Sequence, residues 1–175
     1  MPLSPAVTRI LNAALSAALA CAGVSALSAP AAFAACAEAG QVSYSVSGAA
    51  TSWLPTDLRS DHLEGPGEII FDAWADVRAN AVLAGVPRAE AERIFTSART
   101  SLRAAVVVSH AHGARWNHSA KVPAGQIRRV QQYVEARTFT VRKTSVTPSC
   151  AVKTAWTKKI TAPLRSGSYQ WRLVA

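Results

Sequence analysis

Nineteen Lys or Arg against ten Asp or Glu give this 175-residue chain a formal charge of +9, and half of its residues are hydrophobic. That is enough apolar material for one ordinary domain with a core. No apolar stretch of about 18 residues follows residue 35, which excludes a transmembrane helix from the body of the chain.

The first elements are those of export. Arg9, an apolar run from Ala13 through Val24 and the small-residue stretch Ala32-Phe33-Ala34 before Ala35 predict a secretory signal peptide over residues 1–35. Residues 36–175 are then one secreted domain. The exported part keeps two cysteines, Cys36 and Cys150, and in an oxidising compartment the simplest outcome is one disulfide. Closing so long a loop contributes about 4 to 5 kcal/mol in the chain-entropy model. The alternative, a lipoprotein acylated at Cys36, is disfavoured by Phe33, which stands where such signals prefer an aliphatic residue.

Along the domain, Val42, Tyr44 and Val46 alternate with serines and predict a short strand over Gln41 to Ser47. Gly48 to Gly67 is rich in Gly, Pro, Ser and Asp and is expected to be a loop anchored by Trp53. From Ile69 to Leu83 every odd position is apolar, which argues for one long amphipathic strand. Pro87 to Ala98 predicts a short helix, opened by Pro87. The period of two then returns from Leu102 to Val122 and ends in the turn Val122-Pro123-Ala124-Gly125. Ile127 to Val146 is again strand-like, with a bulge expected near Val130 where the phase changes. Val152 to Ile160 and Tyr169 to Leu173 complete the pattern. The predicted fold is mainly β, of the α+β kind: long antiparallel amphipathic strands with one short helix, in a single disulfide-linked domain.

The charge is unevenly distributed. Between Cys36 and Glu92 there are nine acidic residues and three arginines; between Arg93 and Ala175 there are fifteen Lys or Arg and one acid, Glu135. Such a basic half attracts anionic lipid headgroups, wall polyanions and nucleic acid. Export and the absence of any nucleic-acid motif set nucleic acid aside. Arg128, Arg129, Arg142, Lys143, Lys158 and Lys159 are the expected anionic-surface residues.

Catalytic chemistry finds little support. There is no Gly-x-Ser-x-Gly elbow and no His-Glu-x-x-His. Asp72 and Asp76 share one strand face, which paired-carboxylate hydrolysis could use, yet exposed strand carboxylates are the ordinary case. On a strand, His110 and His112 would lie roughly 6 to 7 Å apart on one face, with His118 about 20 Å further along. Two ligands do not make a site, so neither metal nor cofactor is expected, and titration near pH 6 is a simpler role for these rings. The protein is expected not to be an enzyme.

The run Ser109 to Val122 ending in Val-Pro-Ala-Gly, together with Gln132-Tyr133, Ala136 to Val141, Cys150, Ala162-Pro163 and Trp171, resembles small secreted proteins of actinobacteria. Those in turn distantly resemble aerolysin and epsilon-toxin-type pore formers, whose long Ser- and Thr-rich strands feed into a similar turn. Here the candidate strands are Ala-rich, and there is no length for a separate receptor-binding domain. The resemblance implies membrane action by a homo-oligomer, with Ile69 to Leu83 and Leu102 to Trp116 as inserting strands. The alternative is a cell-envelope structural or interaction module whose basic face meets a protein partner, with no membrane insertion.

Overall fold

The computed structural model describes residues 36–175, so the expected leader lies outside the described residues. The fold is mainly β with a single helix, in the order β1 (Val42–Arg59), β2 (Leu63–Glu64), β3 (Gly67–Asn80), α1 (Arg88–Leu102), β4 (Ser109–Val122), β5 (Ile127–Val146), β6 (Val152–Pro163) and β7 (Tyr169–Val174).

The twenty-residue β5 is the spine. One edge pairs with β1, from Val42↔Ser145 to Arg59↔Gln131, and then with β2 at Arg128 and Ile127. The other edge pairs with β7 over Arg129 to Val134 and with β6 over Ala136 to Val146. All of these pairings are antiparallel.

Two expectations change here. The segment Gly48 to Arg59, expected as loop, is the second part of β1. Its glycine is absorbed in a bulge: Gly48 has φ 65°, and the register shifts between Ser47 and Ala50. Pro55 is tolerated because β1 pairs with the sheet only through β5, leaving it an edge strand. The bulge expected in β5 near Val130 lies instead in its partner, between Pro55 and Arg59. Gln131 Nε2 donates to the carbonyls of Thr56 and Leu58 at 2.9 and 3.0 Å, satisfying acceptors that the bulge frees.

β3 and β4 form a separate two-stranded ribbon, in register from Gly67↔Val122 to Asn80↔Ser109. The strand expected from Leu102 begins only at Ser109, because α1 runs one turn further than its expected end. Ala91, Ile94, Phe95 and Ala98 are buried at helical spacing, and the helix stops at Arg103, which takes the left-handed conformation. Alternation over Ala104, Val106 and Val108 therefore belongs to a connector rather than a strand. That connector reaches the free edge of β6, with Val106 bridging Leu164, while Val82 at the exit of β3 bridges Thr161.

Strand alternation decides which half of the sheet is covered on which side. Phe139 and Val141 of β5, with Ile160 of β6, pack under α1 in the main core. Val130, Val134 and Ala136, one residue out of phase, pack under the ribbon with Ile69 and Ala79. Since β5 takes no extra residue between them, helix and ribbon lie on opposite faces of the sheet. Each therefore leaves the other half of its own face open.

The Cys36–Cys150 disulfide is formed, with 5.3 Å between its Cα atoms, across 114 residues of sequence. The segment after Cys36 is also held by the Gly40 amide, which donates to the Val146 carbonyl at 2.9 Å.

Candidate functional site

The six cations expected to form one anionic-surface site fall in three places. Arg128 and Arg129 begin β5 while Arg142 and Lys143 lie near its end, separated along the strand by roughly 45 Å at about 3.3 Å per residue. Alternation then divides the far group. Lys143 and Lys158 point to the helix side, whereas Arg142 and Lys159 point to the opposite face.

On the helix side the cations join a brace between β1, β5, β6 and α1. Tyr44 Oη donates to Glu90 Oε1 at 2.6 Å, and Lys143 Nζ reaches the same oxygen at 2.7 Å. Lys158 Nζ sits 5.4 Å from the centroid of Trp156, whose ring leans on Tyr44 at 6.3 Å. The Lys143 hydrogen bond, reinforced by that from Tyr44, holds the Glu90 carboxyl below the usual carboxylate range. The same bond raises Lys143, while burial and then the Glu90 hydrogen bond raise the Tyr44 phenol. Arg93 and the first turn of α1 complete a cleft of about 340 Å³. Since Glu90 occupies the phenol and the ammonium together, this cluster is a strut that ties the helix to the sheet.

The opposite face over the same half is open and built of hydroxyls. Ser43, Ser45 and Ser47 of β1 lie beside Thr138, Thr140, Arg142 and Thr144 of β5, and these beside Thr157, Lys159 and Thr161 of β6. The serines, Arg142, Thr157 and Lys159 are exposed. Hydroxyl pairs across the strands, Ser43 with Thr144 and Thr138 with Thr161, each 2.7 Å apart, order the surface. None of these ten side chains is a carboxylate.

At the other end of the sheet, the half-face left open by α1 carries Trp53, Tyr133, Arg129, Arg137 and Arg172. The Arg172 guanidinium lies 4.6 Å from the Tyr133 ring centroid, and Arg137 pairs with Glu135 at 2.8 Å. Arg129 keeps a buried Nε with no acceptor among the described residues. Sequence reasoning missed Arg137 and Arg172, although their same-face positions follow once the register of β5 with β7 is known.

The remaining cluster joins the ribbon to β7. His110, His112, Trp116 and His118 all rise from the inner face of β4 and meet Tyr169 and Trp171. Burial, and then the neighbouring His112, hold the His110 imidazole below its usual range; burial does the same to His118 and raises the Tyr169 phenol. Among the described residues no group of three His, Cys, Asp or Glu side chains converges as a metal site would. Asp72 points to the outer face, paired with Arg115 at 2.9 Å. Asp76 shares that outer face.

No protein-family model, curated protein or solved structure matches this chain.

Proposed function

We propose that this is an exported binding protein, not an enzyme, which docks on an anionic surface through the open hydroxyl face of β1, β5 and β6. The observation that carries this reading is the composition of that face: ten neighbouring side chains that include Arg142 and Lys159 and no carboxylate. Hydroxyls and cations on an open sheet face donate hydrogen bonds to phosphate or carboxylate oxygens, and none of these ten side chains repels them. The half-face of Arg129, Arg137 and Arg172 adds positive charge at the other end. The Cys36–Cys150 disulfide fits an oxidising compartment, as export requires.

Wall polymer or anionic lipid are the surfaces that share this chemistry. Co-sedimentation with anionic vesicles, and separately with a phosphate-rich wall polymer, tests the reading across a salt series. Binding that falls with salt, and falls about tenfold or more in the R142E/K159E variant, supports it, at roughly 1 kcal/mol per cation near such a surface. Salt-independent binding overturns it. So does binding unchanged by the double variant.

A second reading is insertion of the ribbon into a bilayer. It is favoured by the pairing of β3 with β4 alone, with apolar side chains and three histidines on one face and charged ones on the other. Dye release from liposomes, accompanied by a stable homo-oligomer, is its test. Capture of an envelope protein by the R142E/K159E variant as efficiently as by the native chain, with no vesicle binding by either, would favour an interaction module instead.

A further inference from the structure

The β3–β4 ribbon shares no strand ladder with the larger sheet, so side chains hold it there. Three of the four histidines of the chain are among them. His110 is 6% exposed, and its Nε2 lies 2.5 Å from Tyr169 Oη. His112 stacks on the same phenol ring, with centroids 5.9 Å apart and planes at 26°. His118 lies parallel to the Trp171 indole at 5.2 Å and 3°.

The elements around these rings offer no counter-charge in contact with them. Opposite them on the inner face of β3 stand Phe71, Val77 and Ala79. Beneath the ribbon, β5 presents Gln132 and Val134, and β1 presents Leu54 and Thr56. The charged groups nearby stand on the outer face of the ribbon or on β1. Asp76 and Arg78 line a shallow groove beside His112, and Asp57 accepts the Arg78 amide at 2.7 Å. The backbone at Leu164 and Arg165 faces His110 and favours its charged form, an effect that burial outweighs. Among the described residues no carboxylate forms an ion pair with any of the three rings.

We propose that His110 and His118 form an acid-sensitive latch, which clamps the ribbon to the sheet while their rings are neutral and releases it when they are protonated. Protonation places like charges along one seam and turns the stacked imidazoles into solvated cations. Burial that lowers the docked pKa of His110 and His118 fixes the direction: the clamp is complete above the ordinary histidine value of 6.5 and weakens as pH falls below it. A released ribbon frays, because an isolated two-stranded pair is marginal in water.

Amide hydrogen exchange of the disulfide-intact protein, corrected for intrinsic rates, reads this directly between about pH 7.5 and pH 5. If release takes up one more proton than the docked state holds, protection in β3 and β4 falls about tenfold per pH unit, and faster with two. The amides of Phe139 to Val141 under α1 should hold over the same range. Equal loss in both regions, or no loss in the ribbon, overturns the latch. The variant H110Q/H118F, which removes the titration of both buried rings, should hold the ribbon docked at acid pH. Should that variant fail to fold, H118F alone must flatten the pH slope while preserving the stack on Trp171; an unchanged slope would sink the proposal.

Discussion

Under α1 the sheet presents Phe139, Val141 and Ile160 to Ile94 and Phe95, a contact made of fully buried hydrocarbon. Under the ribbon the same sheet presents Val130, Gln132 and Val134, and β7 meets three histidines with Tyr169 and Trp171. One strand, β5, thus serves two interfaces of different physical type. Hydrocarbon contacts respond to volume and are indifferent to pH; the ribbon contact adds groups whose charge changes within the physiological range. The difference predicts that the two ends of the molecule fail under different stresses.

Four substitutions test that contrast. The largest effect belongs to Phe139→Ala, since Phe139 is fully buried and its ring meets Phe95 edge-on at 6.2 Å. We expect a loss of about 3 to 5 kcal/mol in global stability, seen in denaturant unfolding, with little change in the ribbon's pH response. Loss of the disulfide in Cys150→Ser should cost about 2 to 5 kcal/mol and weaken the helix-side end first, where Val146 and Gly40 are joined. Tyr169→Phe, which removes the hydroxyl that meets His110 and keeps the ring that His112 stacks on, should cost about 1 kcal/mol at neutral pH, with its local effect confined to the ribbon. Asp72→Asn on the exposed outer face of the ribbon should leave the unfolding midpoint unmoved, because a solvated pair with Arg115 contributes little. A Phe139→Ala protein that lost the ribbon first, or a Tyr169→Phe protein that lost the helix end, would break the contrast.

The pH axis separates the two ends further. Glu90 on the helix side is held below the usual carboxylate range, so its contribution is complete above an ordinary glutamate value of 4.5 and fades as pH drops beneath it. His110 and His118 act earlier, as pH falls below 6.5. An acid titration followed residue by residue should therefore show the ribbon seam respond before the strut at Tyr44, Glu90 and Lys143.

Much of the fold was legible because it depends on local periodicity. The alternation from Ile69 onward marked β3, the alternation through Trp116 marked β4, and two cysteines in the domain left one pairing. Most of the failures concern partners far away in sequence. Gly48 to Arg59 has the composition of a loop, and only pairing with β5 makes it a strand. Leu102 continues a period of two in sequence but completes the last turn of α1. The six cations could be listed from sequence but not grouped, since grouping needs both the length of β5 and the phase of β6. The histidines could be read as titrating groups but not placed against their partners, because Tyr169 lies 59 residues from His110.

The central position of β5 also governs the order in which the molecule can be assembled. Val42 has to wait for Ser145, so β1 emerges from synthesis long before the strand that completes it. Meanwhile β3 and β4 are each other's partners within one contiguous stretch, while the α1 between them packs on β5 and β6. The sheet can therefore close only at the end, when β6 and β7 follow β5 within a few turns. Such dependence on distant pairing slows folding and keeps the first part of the chain extended until its last part is made.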